Sequence, residues 1–307
     1  MVRTQCLKTL AAASVFVLGT ALQAADASPV TGTLSGNVLT GTGGRVMILS
    51  PEGKVVWECK AGGLVHDAWM LPNGNVLYAD GSAVTEVSPD KKVVFQFKPE
   101  AQQGGGAYGC QRLENGNTFV AANSAGCLLE VDPAGKIVFK LEVQPAKPGD
   151  HHNLRMARKL KNGNYLVCHS GAHVVNEYTP KGEAVLEIKV ANIAFSAIRT
   201  PQNTTLVASL GHITEYDSTG KKVWDFANTD VPGVKITNMC GIQLLANGNI
   251  AVGCYRAYDK GEGSGLFEIT REKKIVWRYS EPKGPDTLMP IQVLDKDGKP
   301  LPGECLR

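Results

Sequence analysis

The sequence predicts an all-β fold, a six-bladed β-propeller of four-stranded antiparallel blades, and three observations predict it. Asn-Gly-Asn or related turns recur along the 307 residues, centred on Gly36, Gly74, Gly116, Gly163, Asn203 and Gly248. Each copy ends in an aromatic or apolar anchor, in order Trp57, Phe95, Phe139, Leu186, Trp224 and Trp277. Successive turns or anchors lie 38 to 53 residues apart, near the length of one four-stranded blade. A repeat made of short strands cannot bury its own apolar face, so the copies must stack on one another.

Within each copy the strands follow in order. Strand A is the run before the turn, as in Gly241-Ile242-Gln243-Leu244-Leu245, and strand B follows it, as in Asn249-Ile250-Ala251-Val252. Strand C alternates, as in Leu128-Leu129-Glu130-Val131, and stops at a Pro-x-Gly-Lys or Ser-x-Gly-Lys turn. Strand D carries the anchor, as in Lys136-Ile137-Val138-Phe139. Period-two patterning between Asn-Gly and Pro/Gly turns is the signature of hairpins. The fifth copy is degenerate (Pro201-Gln202-Asn203-Thr204-Thr205), yet its flanks are intact.

The first copy opens at strand B, Gly36-Asn37-Val38-Leu39, and has no strand A of its own. Met289-Pro290-Ile291-Gln292-Val293-Leu294 matches strand A of the sixth copy, Cys240 to Leu245. The ring is therefore expected to close by N- and C-terminal strands sharing one blade, which removes exposed sheet edges.

Residues 1–24 read as a secretory signal peptide: a start with Arg3 and Lys8, an uncharged run from Thr9 to Leu22, and small residues at Ala24-Ala25. The propeller is expected over 25–307 as one domain, exported to the periplasm or the cell exterior, with no membrane span. The formal charge of +3 falls to about +1 without that segment, which leaves no electrostatic footprint for nucleic acid. Export permits disulfides. Of the seven remaining cysteines, Cys240 and Cys254 lie on neighbouring strands. A disulfide, two buried thiols and a thiol nucleophile are all open there; Cys110 with Cys127 and Cys59 with Cys305 are weaker pairings.

In a propeller the D-to-A and B-to-C connections meet at one mouth of the central channel. Eight residues before each turn centre stand His66, Tyr108, Arg155, Phe195, Cys240 and, with one insertion, Met289. Six residues after it stand Thr42, Asp80, Ala122, His169, Ser209 and Cys254. His151 and His152, His173 and His212 map to connections at that same end. A concave mouth with convergent polar groups is the expected ligand site. Its candidate residues are His66, Asp80, Tyr108, His151, His152, Arg155, His169, His173, His212, Tyr255 and Arg256. Arg155 suits a carboxylate, sulfate or phosphate, or else an ion pair with Asp67 or Asp150. The three blade-repeated tryptophans and Trp69 read as core. A metal held by imidazole and carboxylate from different blades is open, with no local ligand spacing to support it.

The phrases Pro51-Glu-Gly-Lys-Val-Val-Trp57, Asp132-Pro-Ala-Gly-Lys-Ile-Val-Phe139 and Asp217-Ser-Thr-Gly-Lys-Lys-Val-Trp224 resemble the tryptophan-docking repeat of PQQ-like (quinoprotein-like) propellers. The resemblance covers nearly the whole mature chain and implies fold, not that PQQ binds. The run from His66 to Asn75 looks like a segment of the arylsulfotransferase propellers. That likeness implies a histidine nucleophile (His66 or His169) with Arg155 holding the sulfate. This chain is much shorter than that family and lacks room for its extra N-terminal β domain. The main expectation is a monomeric binding propeller for a small molecule, a glycan or a protein segment. The alternatives are an arylsulfotransferase-like enzyme and a metal-assisted lyase or hydrolase. The sequence names no cofactor.

Overall fold

The computed structural model describes residues 1, 30–34, 36–100, 106–124, 126–144, 152–233, 236–255, 265–280, 287–301 and 307. Residues 2–24 of the expected signal peptide fall outside these residues, as do Asp150, His151, Arg256 and Cys305. No helix among the described residues is long and apolar enough to cross a membrane.

Six antiparallel sheets form a six-bladed propeller. Blade 2 (Asp67–Met70, Val76–Ala79, Val84–Val87, Val93–Phe97) is the plainest copy. Blade 3 runs from Ala107 to Glu142, blade 4 from Ala157 to Lys189, and blade 5 from Ala194 to Ala227, while blade 6 holds Asn238–Leu244, Ile250–Tyr255, Leu266–Ile269 and Ile275–Tyr279. Each of these adds its strands in the order A, B, C, D from the axis outward. In blade 1 the long strand Val38–Leu49 supplies the second and third positions. Its start pairs with Ile291–Val293 and its end with Val55–Leu64. Gly44, at φ +86°, lies where that strand changes partner.

The turns show why the repeat has its spelling. The first Asn side chain accepts the main-chain N–H two residues on, at 3.0 Å for Asn73, Asn115, Asn162 and Asn247. The glycine between adopts φ +83° to +87°, and in the degenerate fifth copy Asn203 takes φ +61° instead. The second Asn reaches a buried strand-C glutamate: Asn75 to Glu86 (2.6 Å), Asn164 to Glu177 (2.7 Å) and Asn249 to Glu268 (2.6 Å). The motif thus shapes the A–B turn and solvates a carboxylate inside the blade.

Packing follows the ring. Six apolar clusters each lie between two consecutive blades, including one between blades 6 and 1 built on Leu34, Val38, Leu49, Trp277 and Ile291. The anchors hold neighbours together by hydrogen bonds as well. Trp57 Nε1 donates to Pro89 O of blade 2, and Trp224 Nε1 to Arg271 O of blade 6, both at 2.9 Å. Trp277, fully buried where Trp57 and Trp224 are half-buried, has no acceptor for its Nε1 among the described residues. Replacing Trp224 by Phe is expected to lower stability by about 1 kcal/mol, the usual net contribution of such a bond. A urea midpoint that stays put would show that the bond adds nothing.

Closure is as the repeats predict at one end: Val38 pairs with Val293 and Thr40 with Ile291. The passage beside blade 6 is tight, since a Cβ on Gly241 or Gly253 would lie 2.3 or 2.4 Å from Met289 O. The N-terminal end brings a feature that the repeats do not predict. Val30–Gly32 adds a fifth strand to the outer edge of blade 6, with Val30 opposite Tyr279 and Gly32 opposite Trp277.

Candidate functional site

The six ring-equivalent residues do converge. His66, Tyr108, Arg155, Phe195, Cys240 and Met289, with Met156, line one cavity at the axis. Each comes from the start of an innermost strand or the connection before it, so the ring points all six inward. Their side chains fill the space they surround. His66 stacks on Tyr108 with ring centroids 3.9 Å apart and planes 15° apart. The Arg155 guanidinium lies 5.1 Å from the Tyr108 ring and 5.8 Å from that of Phe195. About 20 Å³ is left, room for one water. Burial lowers the Arg155 pKa from its ordinary value and pushes the Tyr108 hydroxyl up.

The other expected residues stand further from the axis. Asp80 is buried and accepts from the N–H groups of Gly62 (2.8 Å) and Ala83 (3.0 Å), which ties blades 1 and 2. His169 is fully buried within blade 4; its Nε2 meets the Tyr178 hydroxyl at 2.9 Å. Desolvation lowers its pKa to about 4, so it is neutral at pH 7. His173 is exposed in a left-handed turn at φ 57°. His212 lies 3.3 Å from Asp225, and the carbonyl of His152 accepts from Gly171 N. Tyr255 packs on Phe195, Cys240 and Met289.

Cys240 and Cys254 are free, buried thiols, and the candidate disulfide is not formed. A bulge between Met239 and Gly241 sets Met239, not Cys240, opposite Cys254. Burial pushes the Cys240 thiol up to about 12, which also disfavours the thiolate that a nucleophile needs. Cys110 and Cys127 are likewise free. Among the described residues no three His, Cys, Asp or Glu side chains are grouped to hold a metal ion.

The far end of the channel, where the A–B turns lie, holds a cavity of about 600 Å³. Its wall includes Trp69, Arg158, Lys161, Arg199, Leu301 and Arg307. Asp67, offered by the sequence as a partner for Arg155, instead pairs with Arg158. Its two oxygens accept from Nη1 at 2.8 Å and Nη2 at 3.1 Å, and both side chains are buried. Asp67 also accepts from Cys110 N at 3.0 Å. Trp69 packs on the apolar cluster between blades 2 and 3, in keeping with its reading as core, and its other face lines this cavity under two cations, Arg158 at 5.0 Å and Arg307 at 4.3 Å.

A repeated ion pair surrounds this end. Strand A finishes on Arg112, Lys159 and Arg199 in three consecutive blades, each joined to a strand-C glutamate of the blade before it. The pairs are Arg112 with Glu86 (2.5 Å), Lys159 with Glu130, and Arg199 with Glu177 (2.7 Å). With Asp67 included, the carboxylates are 1–8 % exposed and their cationic partners 6–28 %. The three cations line the cavity, whereas the glutamates lie behind them. The sequence carries this signal in the matching glutamates of strand C and the basic residues that end strand A.

No protein-family model matches the chain, and no curated protein matches it in sequence. The likeness to PQQ-like and arylsulfotransferase repeats therefore has no family-level support. Solved structures do match. A protein of unknown function from Bacteroides caccae is 22% identical with a TM-score of 0.74, over 84% of this chain and 98% of that one. A catalytically inactive virginiamycin B lyase from Staphylococcus aureus, bound to quinupristin, is 12% identical with a TM-score of 0.57, over 81% and 87% of the two chains. At these identities the matches show the propeller fold alone.

Proposed function

We propose that the chain is an exported binding propeller for an amphiphilic organic anion, an apolar body carrying a carboxylate, sulfate or phosphate. The observation that carries this reading is the 600 Å³ cavity, whose wall presents cations while their carboxylates lie behind. The volume is that of a small-molecule site, and Trp69, Leu71, Leu160 and Leu301 supply apolar wall. A low-dielectric recess lined by one sign of charge concentrates the opposite sign. The export part rests on the signal-like N-terminus. A phenyl sulfate has no room in the one-water cavity beside His66 and Arg155, so the transferase reading gains nothing there.

The test is calorimetric titration with 2-naphthyl sulfate, 2-naphthyl phosphate, 2-naphthoate and neutral 2-naphthol. The anions are expected to bind and naphthol to bind far more weakly. Lys161→Glu, on the exposed rim, is expected to weaken the anions by roughly 10- to 100-fold, the size of a charge-assisted hydrogen bond. Equal affinity for naphthol, or no change in the variant, would remove the reading.

A further inference from the structure

Arg307 occupies the inner end of the large cavity in a way that defines a second kind of recognition. Its side chain is 3% exposed. Nε donates to Ile291 O at 3.0 Å and Nη2 donates to Ala68 O. The guanidinium plane lies on Trp69 at 4.3 Å, with Asp67 Oδ1 4.0 Å away. The main-chain oxygen of Arg307 accepts from Arg158 Nε at 2.5 Å.

Each of these groups is supplied by an innermost strand: Ile291 of blade 1, Asp67, Ala68 and Trp69 of blade 2, and Arg158 of blade 4. Strand A has a ladder partner on one side only, so its other edge faces the channel with carbonyls in need of donors. A planar guanidinium reaches two such carbonyls at once and still lies flat on the indole, whereas an ammonium is a single point charge. None of these contacts comes from residues adjacent to Arg307 in the chain; Ala68 is 239 positions away and Arg158 149.

We infer that the inner end of the cavity is a guanidinium-binding subsite, filled in the folded chain by Arg307. With Arg307 withdrawn it accepts the guanidinium of a separate molecule, an arginine derivative or an arginine side chain of a peptide. The subsite goes beyond the anion reading, since its ligand carries the opposite charge. It sits on rigid strands, so the hole that remains keeps its shape.

The experiment is chemical rescue. Arg307→Gly should melt several degrees below the wild type, and millimolar ethylguanidinium should raise its midpoint along a saturable curve. The wild type should show no saturable rise, and n-butylammonium at equal ionic strength should restore little. If Arg307→Gly does not fold, Arg307→Lys keeps the charge without the fork and is titrated calorimetrically in its place. The double variant with Trp69→Leu should bind ethylguanidinium at least tenfold more weakly than the single variant. Equal responses of wild type and variant, or equal rescue by n-butylammonium, would overturn the inference. The anion reading is judged on naphthyl sulfate and the wild type, so either idea fails without the other.

Discussion

Asp67→Ala is expected to cost the fold about 3–5 kcal/mol, because it strands a buried guanidinium without its counter-charge. Arg158 is 6% exposed and takes both of its carboxylate contacts from Asp67. The same change removes the acceptor of Cys110 N in the next blade. A lesion of this kind is distinguished from ordinary loss of packing by its partner. Removing both charges together, in Asp67→Leu with Arg158→Met, abolishes the desolvation penalty and should recover most of the loss. Urea unfolding of the two single variants and the double variant reads the effect. A single-variant loss below about 1 kcal/mol would mean that water reaches the pair, as at a surface ion pair.

The second large effect is a dependence on pH. The His169 imidazole is held neutral down to about pH 4, while the unfolded chain takes up that proton near pH 6.5. Between these values the unfolded state binds more protons, so stability falls as pH drops through the window and is unaffected above it. By pH 4 the loss from this one residue is about 3 kcal/mol. His169→Gln keeps a side-chain donor for the Tyr178 hydroxyl and cannot titrate. Thermal midpoints at pH 7, 5.5 and 4 should therefore converge between variant and wild type as the solution is acidified. Parallel curves would show that His169 is already hydrated in the fold.

The repeat spelling makes the ring legible because each motif residue has a local task. Asn73, Gly74 and Asn75 shape one turn and reach one glutamate, so their recurrence marks blades; Asn203 keeps the count by tolerating the same left-handed geometry. The convergence of His66, Tyr108 and Arg155 is legible too, since ring symmetry carries equal offsets to equal places. His169 shows where that argument weakens. It ends a second strand, one strand spacing of about 4.8 Å further from the axis, and its side chain turns into the blade. Only innermost strands reach the channel. Arg155 and Arg158 show a further limit. Three residues apart, they serve opposite ends of the channel, and which of them meets Asp67 depends on depth along the axis. Periodicity across the ring is blind to that coordinate. The outer strand Val30–Gly32 pairs through its main chain with an existing edge, which no side-chain pattern announces.

That outer strand changes the mechanics of the joint between the last module and the first. Elsewhere a single covalent tether passes from one module to the next. At this joint the polypeptide crosses twice, both times from the last module to the first, between Gly32 and Val38 and again between Tyr279 and Ile291. A protease cut in either tether alone leaves the other spanning the gap, so the ring should tolerate nicking there better than at any other boundary.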